Sequence, residues 1–291
     1  MTSLKNEVKR FNILKISCLY ICTFYISPVY VSSEYSDLYS SELIVQQYPD
    51  NVPTEITVIG TVHYETRGLI SDTLLSIFLK IKPDVILFES DSTYFSSENE
   101  IEDDIKDEFL ETKAITKYKE SNSLKLIPYD IPGRDDYMND YERVSHRANL
   151  FYDLNVMLKK KSYNDSLNVM KYYEILLNLS AVMSDTTITY INSIDGCKKI
   201  DSINSLTYEG IAEIIKSTPE LSGYAEFWKS ENEFWNKRNN VMLENILREI
   251  KIFSGKKVIV LCGFAHKKFL KSKISSKAFE NYAVVKEFWE Y

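Results

Sequence analysis

The chain of 291 residues is 44% hydrophobic and 26% charged, a balance that is typical of a globular protein able to bury a sizeable core. Its length has room for one large or two small domains, and the low content of Gly (8) and Pro (7) argues against a long disordered segment. The net charge is −7, and no stripe of Lys and Arg alternates with aromatic residues, so we expect no nucleic-acid partner.

The N-terminal segment has the composition of an export signal. Three basic residues lie between positions 5 and 10, an apolar run follows at residues 16–26, and small residues at 31–33 offer a cleavage point. Because the run is too short to span a bilayer comfortably, we expect residues 1–33 to be a signal peptide whose removal leaves no stable membrane span. The mature protein is then periplasmic or secreted. The alternative is a cytoplasmic protein in which this segment is a buried helix or strand.

Strands and helices alternate after about position 50. The run ITVI at 56–59, closed by Gly60, predicts a first strand, and apolar residues at helical spacing between 74 and 81 predict a helix that ends before Pro83. The apolar run DVILF at 84–88 predicts a strand buried on both faces, and LKLIPY at 124–129 a third strand. Between them we expect the acidic run 98–111 and residues 114–120 to be helical, with the acidic side chains on a solvated face.

The second half of the chain begins with a largely helical stretch, residues 136–251, with breaks near 162, 196 and 219–223. The run KVIVL at 257–261 predicts a fourth buried strand, followed by a helix from about His266 and a final strand at 282–288. This alternation predicts an α/β fold with a mainly parallel, or mixed, central sheet and flanking helices. We therefore expect one domain over residues 54–290, with a helical insertion at about 136–251.

Polar residues follow the predicted strands at the points where these end. His63 lies three residues after a glycine behind the first strand, and His266 occupies the same frame behind the fourth. Glu89 ends the second strand and Asp130 the third. Loops converge at the carboxyl edge of a parallel sheet, so side chains from separate strands meet there. The third histidine, His146, has a helical context, and we expect it on a helix surface.

Each of these residues also has a structural interpretation. A single His after a strand is often a core residue, Glu89 can cap the next helix, and Asp130 before Ile-Pro-Gly can form a turn. Trp228 and Trp235 are expected to pack in the core. The recurrence of the Gly-x-x-His frame, with carboxylates at two other strand ends, favours a joint site.

Arg238 is expected on the buried stripe of a helix. The residues three and four positions before and after it are Trp235, Phe234, Val241 and Met242, which are all apolar. A buried guanidinium needs an anionic partner, and the candidates are Glu89, Asp130 or a bound substrate. Asn239 lies beside it. The alternatives are a structural ion pair or an Arg that extends along the apolar face to solvent.

Two chemistries fit these residues. His63, Glu89 and His266 match the ligand set of a catalytic zinc-type site, in which a divalent metal ion keeps an open position for water and Arg238 or Asp130 orients a ligand. In a metal-free site, His63 or Glu89 takes the proton of water, and Arg238 or His266 stabilises the oxyanion. No His-Glu-x-x-His motif is present, and the sequence leaves both versions open.

These motifs resemble the superfamily that unites TIKI-type proteases, TraB pheromone-shutdown proteins and erythromycin esterases. Its pattern is a strand ending in Gly-x-x-His, a strand ending in Glu, a later helix that bears an Arg, and a second strand ending in Gly-x-x-His. The matching segments are VIGTVH with Gly60 and His63, KPDVILFE with Glu89, KRNNVM with Arg238, and VIVLCGFAH with Gly263 and His266.

The resemblance covers about residues 54–290 and is strongest in the first 80 and last 60 of these. The strand end at Asp130 also looks like the family's third-strand acid. The resemblance implies a hydrolase that acts on a peptide or a small molecule. Two departures are Asn239, where many relatives have Asp, and Tyr64 after His63. The alternative functions are a non-catalytic protein that binds a peptide or haem in the same cleft, or an interaction protein with core histidines.

Overall fold

The computed structural model describes residues 52–159 apart from 67, 91 and 98, five positions between 171 and 177, and residues 187–276 and 281–291. The expected signal peptide at 1–33 and the expected break near 162 lie outside the described residues.

The core of the fold is a five-stranded sheet in which all neighbouring strands run parallel. The strands are β1 (Thr54–Thr61), β2 (Val85–Phe88), β3 (Phe95–Ser97), β4 (Glu100–Ile101), β5 (Lys125–Pro128), β6 (Lys257–Gly263) and β7 (Ala283–Val285). The order in the sheet is β5–β2–β6–β1–β7, and a separate short hairpin is formed by β3 and β4. The predicted α/β fold with a parallel sheet and flanking helices is therefore confirmed.

Helices cover both faces of the sheet because the strand side chains alternate between two apolar clusters. The helices bounded within the described residues are α1 (Ser71–Ile81), α2 (Leu110–Lys119), α3 (Arg134–Asn139), α4 (Tyr141–Lys159), α5 (Ile188–Asn192), α6 (Ile194–Ser205), α7 (Ile211–Ser217), α8 (Ala225–Ile252) and α9 (Phe264–Ile274). Ile59 and Ile86 face one cluster with α1 and α2, whereas Val58 and Leu87 face the other with α8 and α9. In the described part of the chain, every helix is too short or too polar to cross a bilayer.

The described residues between β5 and β6 are largely helical, as the sequence predicts. A third apolar cluster joins α4, α7 and the start of α8 through residues such as Leu154, Ile214 and Trp228. The expected break near Gly196 lies at Ser193, whose hydroxyl oxygen accepts from the backbone N–H of Gly196 and caps α6. Gly196 lies in the first turn of that helix, where a Cβ would come within 1.9 Å of the carbonyl oxygen of Tyr190, so the position requires a glycine.

One secondary-structure prediction is wrong, and another is too long. The acidic run is not helical before Leu110; it contains β4, the second strand of the β3–β4 hairpin, and then irregular turns over 103–109. Clustered carboxylates repel each other, and Asp is a poor helix former. The final strand is shorter than expected, because β7 ends at Val285 and a 3₁₀ turn forms at Phe288–Glu290.

Candidate active site

The strand register places the predicted site residues at one edge of the sheet. Gly263 lies opposite Thr61, and Leu261 lies opposite Phe88, so β1, β2 and β6 end side by side. His63, Glu89 and His266 follow these three ends. They line one pocket together with Arg238 from α8. Asp130, behind β5, does not line the pocket but holds Arg238 in place.

Arg238 is the centre of the site. It is 4% exposed, and it donates to both carboxylate oxygens of Asp130, at 2.9 Å from Nε and 2.7 Å from Nη2. Nη2 also donates to Glu89 Oε1 at 2.5 Å, and Nη1 donates to His266 Nε2 at 3.2 Å. A guanidinium carries five N–H groups. These contacts leave one N–H of Nη1 without a partner among the described residues, beside the pocket.

His266 is held as a neutral acceptor. Its Nδ1–H donates to the side-chain oxygen of Asn239 at 2.6 Å, which leaves Nε2 to accept from Arg238. Burial and then the guanidinium of Arg238 lower the pKa of His266 to about 4, against the opposing effect of Glu89. Neither ring nitrogen has a free N–H to donate to an oxyanion. His266 therefore positions Arg238, and a neutral amide at position 239, rather than a carboxylate, is consistent with an uncharged ring.

This neutral His266 should make the protein sensitive to acid. The unfolded chain takes up a proton at its histidines below about pH 6.5, whereas folded His266 does so only near pH 4. The stability that depends on a neutral His266 is therefore complete above pH 6.5 and falls as the pH drops towards 4, by up to about 3 kcal/mol. In urea denaturation, the stability of wild type relative to His266→Gln should decline over this window. The exposed His146→Gln is the control, and a pH-independent difference would argue against a neutral buried His266.

Glu89 is saturated by donors. Its Oε1 accepts from Arg238, and its Oε2 accepts from the backbone N–H of Gly263 at 2.6 Å. Burial raises the pKa of Glu89, but the charges of His266, Arg238 and His63 outweigh this effect and lower the pKa to about 2. Since His266 is neutral at pH 7, Arg238 is the partner whose charge is permanent. Glu89 is thus an anion with both oxygens engaged, which makes it a poor general base.

The arrangement does not fit the metal ion that the sequence allows at His63, Glu89 and His266. Among the described residues, no group of three His, Cys, Asp or Glu side chains is placed to hold an ion. The physical reason is Arg238, because its guanidinium lies against Glu89 Oε1 and His266 Nε2, the atoms that would ligate the ion. The same contact occupies the ring nitrogen of His266 that axial ligation of haem requires.

His63 is paired with a residue that we did not predict, Glu111. The Nδ1 of His63 lies 3.0 Å from Glu111 Oε1, which also accepts from the hydroxyl of Thr61. Burial lowers the pKa of His63, but the charge and hydrogen bond of Glu111 raise it above 6.5 overall. In the neutral ring, Glu111 keeps the proton on Nδ1 and leaves Nε2 as a base. The His63 side chain is 26% exposed, so a ligand can reach it.

The backbone around His63 is unusual. His63 has a φ of +64°, a left-handed conformation that non-glycine residues rarely adopt and that is enriched at functional sites. Its carbonyl accepts from the N–H of Leu110 at 2.7 Å, which ties the loop after β1 to the start of α2. This contact brings Glu111, the next residue of that helix, to the imidazole.

Both predicted supporting glycines are needed for close packing. A Cβ at Gly263 would lie 2.9 Å from His63 Nε2 and 3.5 Å from Glu89 Oε2, so this position must lack a side chain. At Gly60 a Cβ would come within 3.1 Å of the Cα of Phe264. Its backbone N–H and carbonyl both bind the side-chain amide of Asn192, at 2.7 and 2.9 Å.

The pocket has a charged floor and an aromatic wall. Trp235, expected in the core, lines the pocket and stacks on the ring of His266 with centroids 4.4 Å apart. Tyr208 also lines the pocket and stacks on Trp235, with ring centroids 5.1 Å apart. Arg134, which the sequence interpretation did not single out, also lines the pocket and is 7% exposed.

Comparison with known proteins assigns no family to the chain. No family model, curated protein or solved structure matches the chain. The resemblance to the TIKI, TraB and erythromycin-esterase superfamily therefore stays a prediction that rests on the order of its motifs.

Proposed function

We propose that the chain is a hydrolase of the TIKI/TraB type that cleaves an amide or ester bond, with His63 as general base and Arg238 as the cationic centre. The observation that carries the proposal is the His63–Glu111 pair at the pocket wall. A carboxylate that holds one ring nitrogen of a partly exposed His fixes the tautomer whose other nitrogen accepts a proton.

Each residue of the site has a separate role in the proposed reaction. His63 Nε2 takes a proton from water, whose oxygen attacks the carbonyl carbon, and Glu111 stabilises the imidazolium that results. During this attack the carbonyl oxygen gains negative charge. The remaining N–H of Arg238, beside the pocket, stabilises that charge by donating a hydrogen bond to the oxygen. The tetrahedral intermediate then collapses, and protonated His63 returns its proton to the leaving group. Asp130, Glu89 and His266 hold Arg238 in the orientation that this step needs.

The pH dependence of hydrolysis tests the role of Glu111. The base form of His63 is needed, and its pKa is raised, so kcat/KM should increase with pH and level off above an apparent pKa that exceeds 6.5. Glu111→Gln keeps the shape of the side chain but removes its charge. The apparent pKa should then move down, while the plateau rate falls because the imidazolium loses its counter-charge.

The measurement is a pH–rate profile between about pH 5 and 9 on chelator-treated protein, with a panel of activated esters and peptide amides. Asp103→Asn, a change at an exposed carboxylate that pairs with Lys106 outside the pocket, is the matched control. An acid limb at the same pH in wild type and Glu111→Gln would remove Glu111 from the mechanism.

A further inference from the structure

Arg134 is a buried cation at the pocket for which the proposed mechanism has no use. Its Nη1 donates to Asp135 at 2.9 Å, whereas its Nε has no hydrogen-bond partner among the described residues. The nearest other carboxylate oxygen, Oδ2 of Asp130, lies 3.7 Å from that Nε, which is too far for a hydrogen bond. Most donors of this guanidinium are therefore unused.

The neighbouring acids do not complete this site. Asp130 already accepts from Arg238 through both oxygens, and Glu89 accepts from Arg238 and Gly263. Asp135, the remaining partner, has a side chain that is 25% exposed, so solvent weakens its hold on the pair. A buried cation with unused donors is unfavourable unless a ligand or water supplies acceptors, and the pocket gives a ligand access to it.

The rest of the pocket indicates what such a ligand looks like. The stacked rings of His266, Trp235 and Tyr208 form one wall, and Ile203 and Phe264 add apolar surface. This wall suits a flat or apolar group. A ligand that satisfies both features has an anionic end for Arg134 and an apolar body for the wall.

We propose that the pocket takes a substrate in which a single carboxylate lies next to an apolar body, as in the C-terminal residue of a peptide, with Arg134 binding the carboxylate. The inference rests on the proposed hydrolytic site and names the substrate class for it. A planar monoanion matches the fork of a guanidinium. A phosphate dianion would bring a second negative charge towards Glu89 and Asp130, so a carboxylate is favoured.

The test compares two small probes that differ only in charge. Hippurate carries a benzamide and a carboxylate, and hippuramide replaces the carboxylate by a neutral amide. In calorimetric titration, wild type should bind hippurate roughly 10- to 100-fold more tightly than hippuramide, since a hydrogen bond to a charged group is the difference. Arg134→Met should abolish this preference, so that the two probes bind with similar affinity. Arg143→Met, which removes a guanidinium that pairs with Glu231 outside the pocket, should keep it.

Three results would overturn the inference: equal binding of the two probes by wild type, a preference that survives in Arg134→Met, or inorganic phosphate that binds more tightly than hippurate. Binding needs no turnover, so a charge preference without any hydrolysis would sink the proposed function and leave the carboxylate site standing. Hydrolysis without a charge preference would refute the carboxylate site and leave the proposed function standing.

Discussion

Arg238→Ala should lower the free energy of unfolding by about 3–5 kcal/mol and abolish hydrolysis. The change leaves two carboxylates, Asp130 and Glu89, buried without the cation that accounts for most of their hydrogen bonds. An unpaired buried charge is costly because the protein interior solvates it poorly. The substitution also removes the N–H donor that we assign to the oxyanion. Loss of stability and loss of rate therefore both result from the missing guanidinium. Thermal melts and assays near neutral pH measure the two effects.

Two further variants separate folding from chemistry. Arg147 is 5% exposed and donates to Glu231 at 2.6 and 3.1 Å, yet it lies outside the pocket, so Arg147→Ala should destabilise the fold and spare the kcat of the folded fraction. Arg238→Lys keeps the charge but not the planar fork, and activity should suffer more than stability. Full activity in Arg238→Ala would remove this residue from the site.

The sheet was predictable from the sequence because strands buried on both faces give continuous apolar runs, as in ITVI, DVILF and KVIVL. The meeting of His63, Glu89 and His266 follows from the same fact, since parallel strands end at one edge. Arg238 was predictable for a different reason: the apolar residues three and four positions away place it on the buried stripe of its helix.

Glu111 was missed although the sequence contains its signal. Glu111 belongs to the acidic run 98–111, and the high charge of that run predicts a solvated face for its side chains. The spacing to Ala114, Ile115 and Tyr118, at three, four and seven residues, instead puts it on the buried stripe of α2, the argument that located Arg238. A buried Glu on an apolar stripe requires a partner, and a His behind a neighbouring strand is an obvious candidate.

The aromatic wall and Arg134 had no comparable signal. Tyr208 lies in a π-helical turn (Leu206–Gly210) after α6, and Arg134 begins a six-residue helix after a turn. Their convergence on the pocket depends on how the helical segment packs on the sheet edge, which no local pattern encodes. The sequence leaves a metal ion possible for a related reason. Only the packed position of Arg238 shows that its guanidinium contacts the atoms of Glu89 and His266 that would ligate the ion.

His63→Asn should reduce hydrolysis roughly 10²- to 10⁴-fold, the usual contribution of a general base. Asn tolerates the left-handed backbone at this position, so the loop after β1 should keep its course. The side chain has no nitrogen that accepts a proton near neutral pH. The change removes the base, and it also removes the ring N–H that pairs with the buried Glu111, so we expect a moderately lower melting temperature with the fold retained. His146→Asn is the matched control, because His146 is an exposed residue of α4 outside the pocket, where it hydrogen-bonds the carbonyl of Glu142 and stacks on Phe227.

The rate of hydrolysis by chelator-treated wild type, His63→Asn and His146→Asn, measured in parallel on the ester and amide panel, tests the central proposal most directly. We predict that wild type and His146→Asn turn over the same substrates at similar rates after metal removal, and that His63→Asn loses this activity while it remains folded. Turnover that vanishes with the chelator and returns with a divalent ion, or a folded His63→Asn with the wild-type rate, would contradict it. A folded wild type without turnover on any substrate would favour a binding protein instead.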